Sequence, residues 1–66
     1  MKIVYNGERR QVDEELSVAG LLNELGLDPR QLAVEVNLQL VPRDRHAECP
    51  LHEGDRVEVV TLVGGG

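Results

Sequence analysis

The first alternating apolar residues of the chain predict an antiparallel hairpin. Ile3-Val4-Tyr5 precedes Asn6-Gly7, and both residues of that pair tolerate the positive φ values of a two-residue hairpin turn. The return strand ends at Val12. We expect Ile3, Tyr5 and Val12 to face inward, and a two-residue turn would also set Arg10 opposite Ile3 on the same face.

One helical stripe follows the hairpin. Ser17 is a favourable N-cap residue, and the apolar residues after it recur at helical spacing: Val18, Leu21, Leu22 and Leu25. Gly26 suits the left-handed position just past a helix end, with Leu27 as its apolar companion. We therefore predict a helix from Val18 to Leu25 whose stripe faces the core. Gly20 in its first turn would indicate that another backbone passes close by.

The second half of the chain predicts another hairpin. Leu32-Ala33-Val34-Glu35-Val36 indicates a strand with Val34 and Val36 on its apolar face. A turn over residues 37–39 leads to a short return strand, Leu40-Val41. Pro42 ends this strand because proline cannot donate a hydrogen bond to a strand ladder.

An irregular crossover then leads to a final strand. Residues 43–53 show no sustained period and predict one helical turn at most, anchored by Leu51. Gly54-Asp55 turns the chain into the strand Arg56 to Leu62, whose apolar residues lie on both faces near its end, as in a central strand. The order β-β-α-β-β-β matches the β-grasp, or ubiquitin-like, arrangement: an α+β fold in which one main helix packs across a mixed sheet of four to five strands. Right-handed crossovers would place the first and last strands side by side at its centre.

Size and composition restrict the function classes. The chain has 66 residues, a net charge of -5 and a single cysteine, Cys49. A lone cysteine excludes an internal disulfide framework. No apolar segment is long enough to cross a membrane or to act as a signal peptide, so we expect one cytoplasmic domain. The acidic balance and a single aromatic residue argue against nucleic acid and favour a protein partner with a basic or mixed surface.

The last residues of the chain carry its candidate chemistry. We predict a domain over residues 1–62 and a flexible tail over residues 63–66, Val63-Gly64-Gly65-Gly66. Glycine has no Cβ, so such a tail can thread a channel too narrow for side chains, and its terminal carbonyl is open to attack. Four extended residues reach about 13 Å, which suits insertion into another protein's active site. A frayed chain end is the alternative.

Several segments occur in one order along the chain. They are the hairpin at Asn6-Gly7, Val18-Ala19-Gly20-Leu21-Leu22, Val34-Glu35-Val36-Asn37 with Val41-Pro42-Arg43, Glu53-Gly54-Asp55-Arg56-Val57-Glu58-Val59-Val60, and the terminal glycines. This ordered combination resembles the ThiS family of sulfur carriers, which supply sulfur for the thiazole ring of thiamine. The resemblance runs nearly from end to end.

The resemblance implies a two-step activation at Gly66. A separate adenylyltransferase, similar to ThiF and to the ubiquitin-activating enzymes, would use ATP and magnesium to convert the Gly66 carboxylate into an acyl-adenylate. A sulfur donor such as a cysteine desulfurase would then form a thiocarboxylate, which a thiazole synthase similar to ThiG would receive. Gly64, Gly65 and Gly66 would enter the partner's active site. The chain would bind no cofactor and would be a carrier rather than an enzyme.

Other functions and contacts stay open at this stage. A carrier for molybdopterin synthesis, similar to MoaD, shares the same chemistry. A plain β-grasp interaction module would make the glycines incidental, and a protein modifier similar to ubiquitin would form lysine conjugates. Val60, Leu62 and Arg43 would be docking contacts beside the channel that the tail enters, and ordinary core or edge positions explain them equally well.

Three potential soft ligands lie in the crossover: His46, Cys49 and His52. Their spacing matches no usual pair of zinc ligands, and Pro50 interrupts any helix that would bring them together. We predict no metal site. We also predict an inert thiol at Cys49, because nothing near it in sequence is arranged to lower its pKa.

Overall fold

Across residues 1–62, which the computed structural model of the protein describes, five strands form one sheet and one α-helix packs against it. The strands are β1 (Lys2–Tyr5), β2 (Glu8–Gln11), β3 (Leu32–Val36), β4 (Gln39–Val41) and β5 (Arg56–Thr61). The α-helix is α1 (Val18–Glu24). Two short 3₁₀ helices complete the elements, the first at Pro29–Gln31 and the second at Arg43–Glu48.

The strand order in the sheet is β2-β1-β5-β3-β4. β5 runs parallel to β1 and antiparallel to β3, so the first and last strands lie side by side at the centre. This topology confirms the predicted α+β, β-grasp arrangement, with the larger of the two strand numbers that we expected. The tail predicted for residues 63–66 lies outside the described residues.

Both hairpins turn through left-handed backbone. In the first, Asn6 and Gly7 have φ values of 47° and 84°, as the sequence predicts. In the second, Asn37 and Leu38 have φ values of 52° and 69°, so β4 begins at Gln39, one residue earlier than predicted. Leu38 is 87% exposed. A leucine therefore stands in solvent at a turn position that favours glycine.

Residues next to α1 close both of its ends. The Oγ of Ser17 accepts a hydrogen bond from the Gly20 N–H at 3.0 Å. At the other end Gly26 has a φ of 70°, and the Leu27 N–H donates to the Leu22 carbonyl oxygen at 2.9 Å, which is the Schellman pattern. The predicted helix is confirmed apart from its last residue. Within residues 1–62, no helix has the length and apolar character needed to cross a membrane.

Gly20 occupies the first turn of α1 for a reason other than the predicted one. A Cβ at this position would lie 2.7 Å from Cδ1 of Leu16. The close neighbour is thus a side chain and not the passing backbone that we expected. Glycine leaves room for Leu16, which packs against the core from just before the helix.

The core lies between α1 and one face of the sheet. Tyr5 packs against it, which confirms the predicted inward face of the first hairpin. Arg10 does lie opposite Ile3, but on an edge strand where its charge remains exposed. The buried apolar side chains include the whole predicted stripe except the half-buried Leu25, and they are Ile3, Val12, Val18, Leu21, Leu22, Leu32, Val34, Leu51 and Val57.

Replacing Leu38 by glycine should stabilise the fold by about 0.5–1 kcal/mol. A left-handed leucine carries backbone strain that glycine avoids, and the greater freedom of glycine in the unfolded chain offsets part of the gain. Urea denaturation followed by circular dichroism measures the change. Leu38→Ala keeps the Cβ and should show no gain, so an equal gain in both variants would contradict the strain explanation.

Candidate functional site

β5 carries the chain to the candidate site and is held along both of its edges. On one side, five of its residues pair with β3. On the other, the Asn6 N–H donates to the carbonyl oxygen of Val57 at 2.9 Å. The Asn6 side chain extends this contact, because its oxygen accepts from the Val59 N–H at 2.7 Å and its nitrogen donates to the Val59 carbonyl at 3.2 Å. β5 is therefore supported by both neighbouring strands.

The pairing reaches the last described residue. The Leu62 N–H, one residue beyond β5, donates to the carbonyl oxygen of Gln31 at 2.7 Å. Gln31 ends the first 3₁₀ helix and leads directly into β3. The folded body is thus anchored immediately before residues 63–66. The predicted site residues Gly64, Gly65 and Gly66 lie outside the described residues.

One face of the sheet carries outward side chains that α1 does not cover. We call it the open face and define it by five residues on three neighbouring strands: Ala33, Glu35, Leu40, Glu58 and Val60. Leu40 is 64% exposed and Val60 is 57% exposed. Leu62 is 59% exposed and comes just before residues 63–66. Apolar surface therefore lies close to the point where the described chain stops.

Arg43 lies apart from the open face. It lines a cavity of about 300 Å³ between α1 and the second 3₁₀ helix, together with Leu22, Leu27 and Pro29. The structure therefore does not bring the predicted docking residues onto one surface, because Val60 projects from the opposite side of the sheet. The sequence could not separate them, since it does not reveal on which side the crossover passes.

The three soft side chains of the crossover do not converge. His46 is only 4% exposed, and its Nε2–H donates to the Val41 carbonyl oxygen at 3.2 Å. His52 is exposed, with its Nδ1 3.8 Å from Oδ2 of Asp55. Within residues 1–62, no three His, Cys, Asp or Glu side chains are grouped to hold a metal ion. The burial of His46 corrects our interpretation of it as a loop residue, and it arises because the second 3₁₀ helix turns the ring inward.

Cys49 is a half-buried thiol that follows the second 3₁₀ helix. Burial raises its pKa, and the negative charge of Asp55 adds to the increase. A higher pKa leaves less thiolate at neutral pH, and the thiolate is the reactive form. The environment of Cys49 therefore agrees with the predicted inert thiol.

Sequence reasoning missed the cavity and the opposed position of two glutamates. The β3–β5 register sets Glu35 directly opposite Glu58. The alternation in Val34-Glu35-Val36 and in Val57-Glu58-Val59 does indicate that each glutamate faces outward. It does not predict their pairing, because the register between strands that are distant in sequence has no local signal.

Comparisons with known proteins place this arrangement among characterised relatives. A family model described as the ThiS family matches residues 3–66. The crystal structure of the thiamine biosynthesis protein ThiS from Geobacter metallireducens is 32% identical, with a TM-score of 0.87 over the whole of both chains. The sulfur carrier protein ThiS of Escherichia coli is 29% identical over the full length of both. A thiazole synthase of Paramagnetospirillum magneticum is 46% identical over all 66 residues, and the chain spans 20% of its length.

Iodoacetamide should alkylate Cys49 more slowly in the folded protein than in urea. The thiolate is present above the pKa and lost below it, so a raised pKa moves the onset of reaction to higher pH. Mass spectrometry of timed samples across a pH series gives both midpoints. A folded-state midpoint at or below that of the unfolded chain would contradict this description of the thiol.

Proposed function

The chain belongs to the ThiS family, and we propose that it carries sulfur for thiazole formation in thiamine biosynthesis on the carboxylate of Gly66. The family resemblance inferred from the sequence is confirmed. Members of this family are sulfur carriers, so the chain is a carrier protein and not an enzyme. The observation that supports the proposed loading point is the extent of the family match, which continues through the terminal glycines.

The Gly66 carboxylate must be activated before it can accept sulfur, because an oxide is a poor leaving group. An adenylyltransferase similar to ThiF would join the carboxylate to the AMP portion of ATP, with magnesium bound and pyrophosphate released. The persulfide of a sulfur donor such as a cysteine desulfurase would then displace AMP and form an acyl disulfide, and a second thiol would reduce this disulfide to release the thiocarboxylate. This soft nucleophile passes its sulfur to the forming thiazole. ATP and magnesium bind to the activating partner, and the carrier needs no cofactor of its own.

The anchoring of β5 supports different roles for the folded body, residues 1–62, and for residues 63–66. The described chain is hydrogen-bonded as far as Leu62. Residues 63–66 would reach about 13 Å beyond it if extended, at about 3.3 Å for each residue. We propose that Gly64, Gly65 and Gly66 enter the partner's active site while the folded body stays at its entrance. The body then serves to position a carboxylate.

A thiazole synthase is the partner that the relatives support most directly. The Paramagnetospirillum magneticum thiazole synthase contains a segment similar to the whole of this chain, which favours a carrier and a synthase that contact each other. The adenylyltransferase and the sulfur donor complete the proposed set of partners. A cytoplasmic location belongs to the same proposal, because activation consumes ATP. No observation favours the molybdopterin carrier, the protein modifier or the plain interaction module over this function.

Incubation with ATP, magnesium, an activating enzyme, a sulfur donor and a thiol reductant should exchange one oxygen of Gly66 for sulfur. Intact-mass spectrometry detects this gain. A protein that ends in the amide of Gly66 keeps the same body and tail but has no carboxylate, so it should gain no sulfur and support no thiazole formation.

Two results would exclude this role for Gly66. The first is sulfur loading of the amide form, and the second is unimpaired thiazole formation after removal of Gly65 and Gly66. The intact mass of the protein isolated from its source also shows whether Gly66 is its last residue, as the proposal requires.

A further inference from the structure

Two carboxylates face each other in the middle of the open face. Glu35 and Glu58 are direct cross-strand partners, a position in which Cβ atoms lie about 4.5–5.5 Å apart. Within residues 1–62, the ion pairs of the structure include neither glutamate. Like charges placed directly opposite destabilise a sheet. We therefore expect the pair to lower folding stability.

Apolar side chains surround the two carboxylates. Leu40 lies directly opposite Glu35 on its other side, and Val60 follows Glu58 on the same face. Arg56 also projects from this face, two residues before Glu58, yet it forms no ion pair with either carboxylate in the described chain. The same side of the sheet also carries Lys2, Arg9 and Arg56, so negative charge is concentrated only at the Glu35–Glu58 pair, beside the exposed apolar groups. A partner that covers the open face needs apolar side chains around a cation.

The charge of the open face argues against a second copy of this chain as its occupant. A symmetric contact centred on Glu35 and Glu58 would bring the two carboxylates of each copy together. The net charge of -5 adds repulsion between whole molecules. Residues 63–66 follow directly after Leu62, two residues from Val60. A protein that receives these residues in its active site therefore meets the open face at its entrance.

We propose that the open face docks the thiazole synthase, and that Glu35 and Glu58 together bind one arginine or lysine of the synthase beside the cleft that receives residues 63–66. This inference rests on the proposed function. A cation between the two carboxylates replaces their repulsion by two attractive contacts. The arrangement that destabilises the free carrier thus selects a partner that presents a positive charge at this point.

Neutralising Glu35 and Glu58 together distinguishes the effect of the pair on folding stability from its effect on binding. The variant E35Q/E58Q should melt about 2–4 °C above the unchanged protein, because the repulsion is relieved. It should also bind the synthase about 10-fold more weakly, because both charged contacts are lost. A purely structural role for the pair predicts no loss of binding in a variant that is more stable. Differential scanning calorimetry and isothermal titration calorimetry measure the two quantities.

The matched control is E8Q/E24Q. Glu8 on the edge strand β2 and Glu24 on α1 are both exposed and lie off the open face, so this variant has the same net charge as E35Q/E58Q. It should bind the synthase as the unchanged protein does. Added salt should weaken binding of the unchanged protein and of E8Q/E24Q more than binding of E35Q/E58Q, because specific charge contacts are screened.

Three other binding results would each contradict the docking inference. If the unchanged protein binds the synthase and E35Q/E58Q binds within about twofold of it, the docking inference fails while the proposed function stands. An equal loss in E8Q/E24Q would show that only net charge matters, and would also overturn the inference. If the unchanged protein itself does not bind the synthase, both the inference and its proposed partner fail.

Discussion

The position of β5 between β1 and β3 is the constraint on which the rest of the structure depends. β1 and β5 run parallel, so a long connection must carry the chain from one to the other. That connection contains α1, the second hairpin and both 3₁₀ helices. Val4 pairs with Arg56, which means that the central pair forms only when the two ends of the chain meet. Val57 is completely buried on this strand. Both the sheet and the core therefore depend on the same strand that leads to the candidate site.

Local motifs support this long-range pairing in a protein with a small core. The Ser17 cap and the Gly26-Leu27 motif close α1 with local hydrogen bonds, and the Val18 N–H at its start also donates to the Cys49 carbonyl oxygen at 2.9 Å. A cap of this kind contributes about 1 kcal/mol, which is a large share of the net stability of a small domain. Gly20 shows the reverse dependence, because a weak helix former is retained there to make room for Leu16. The residues at the ends of α1 thus agree with local helix-capping preferences, whereas Gly20 goes against helix propensity because Leu16 needs the space.

The two faces of the sheet follow different physical rules. On the face covered by α1, side chains such as Val34 and Val57 are determined by packing, since each is fully buried. On the open face, exposed Leu40 and Val60 and the opposed glutamates bring no comparable gain in stability. Exposed apolar side chains and unfavourable charge pairs that do not stabilise the isolated protein are typical of surfaces that bind another molecule. The stabilising packing thus lies on the face that α1 covers, and the open face remains accessible to a partner.

The sequence alone determined the local elements and the candidate loading point. Asn6-Gly7, Ser17 and Gly26 act on backbone within a few residues of themselves, so their turn and caps could be predicted directly. The prediction at Gly64 to Gly66 rests on main-chain chemistry and family resemblance, and it needed no neighbouring side chain. Only the tertiary structure decided which distant residues meet. It buried His46, separated Arg43 from Val60 and placed Glu35 opposite Glu58. These relations depend on strand register and on the path of the crossover, which are set by contacts across the whole chain.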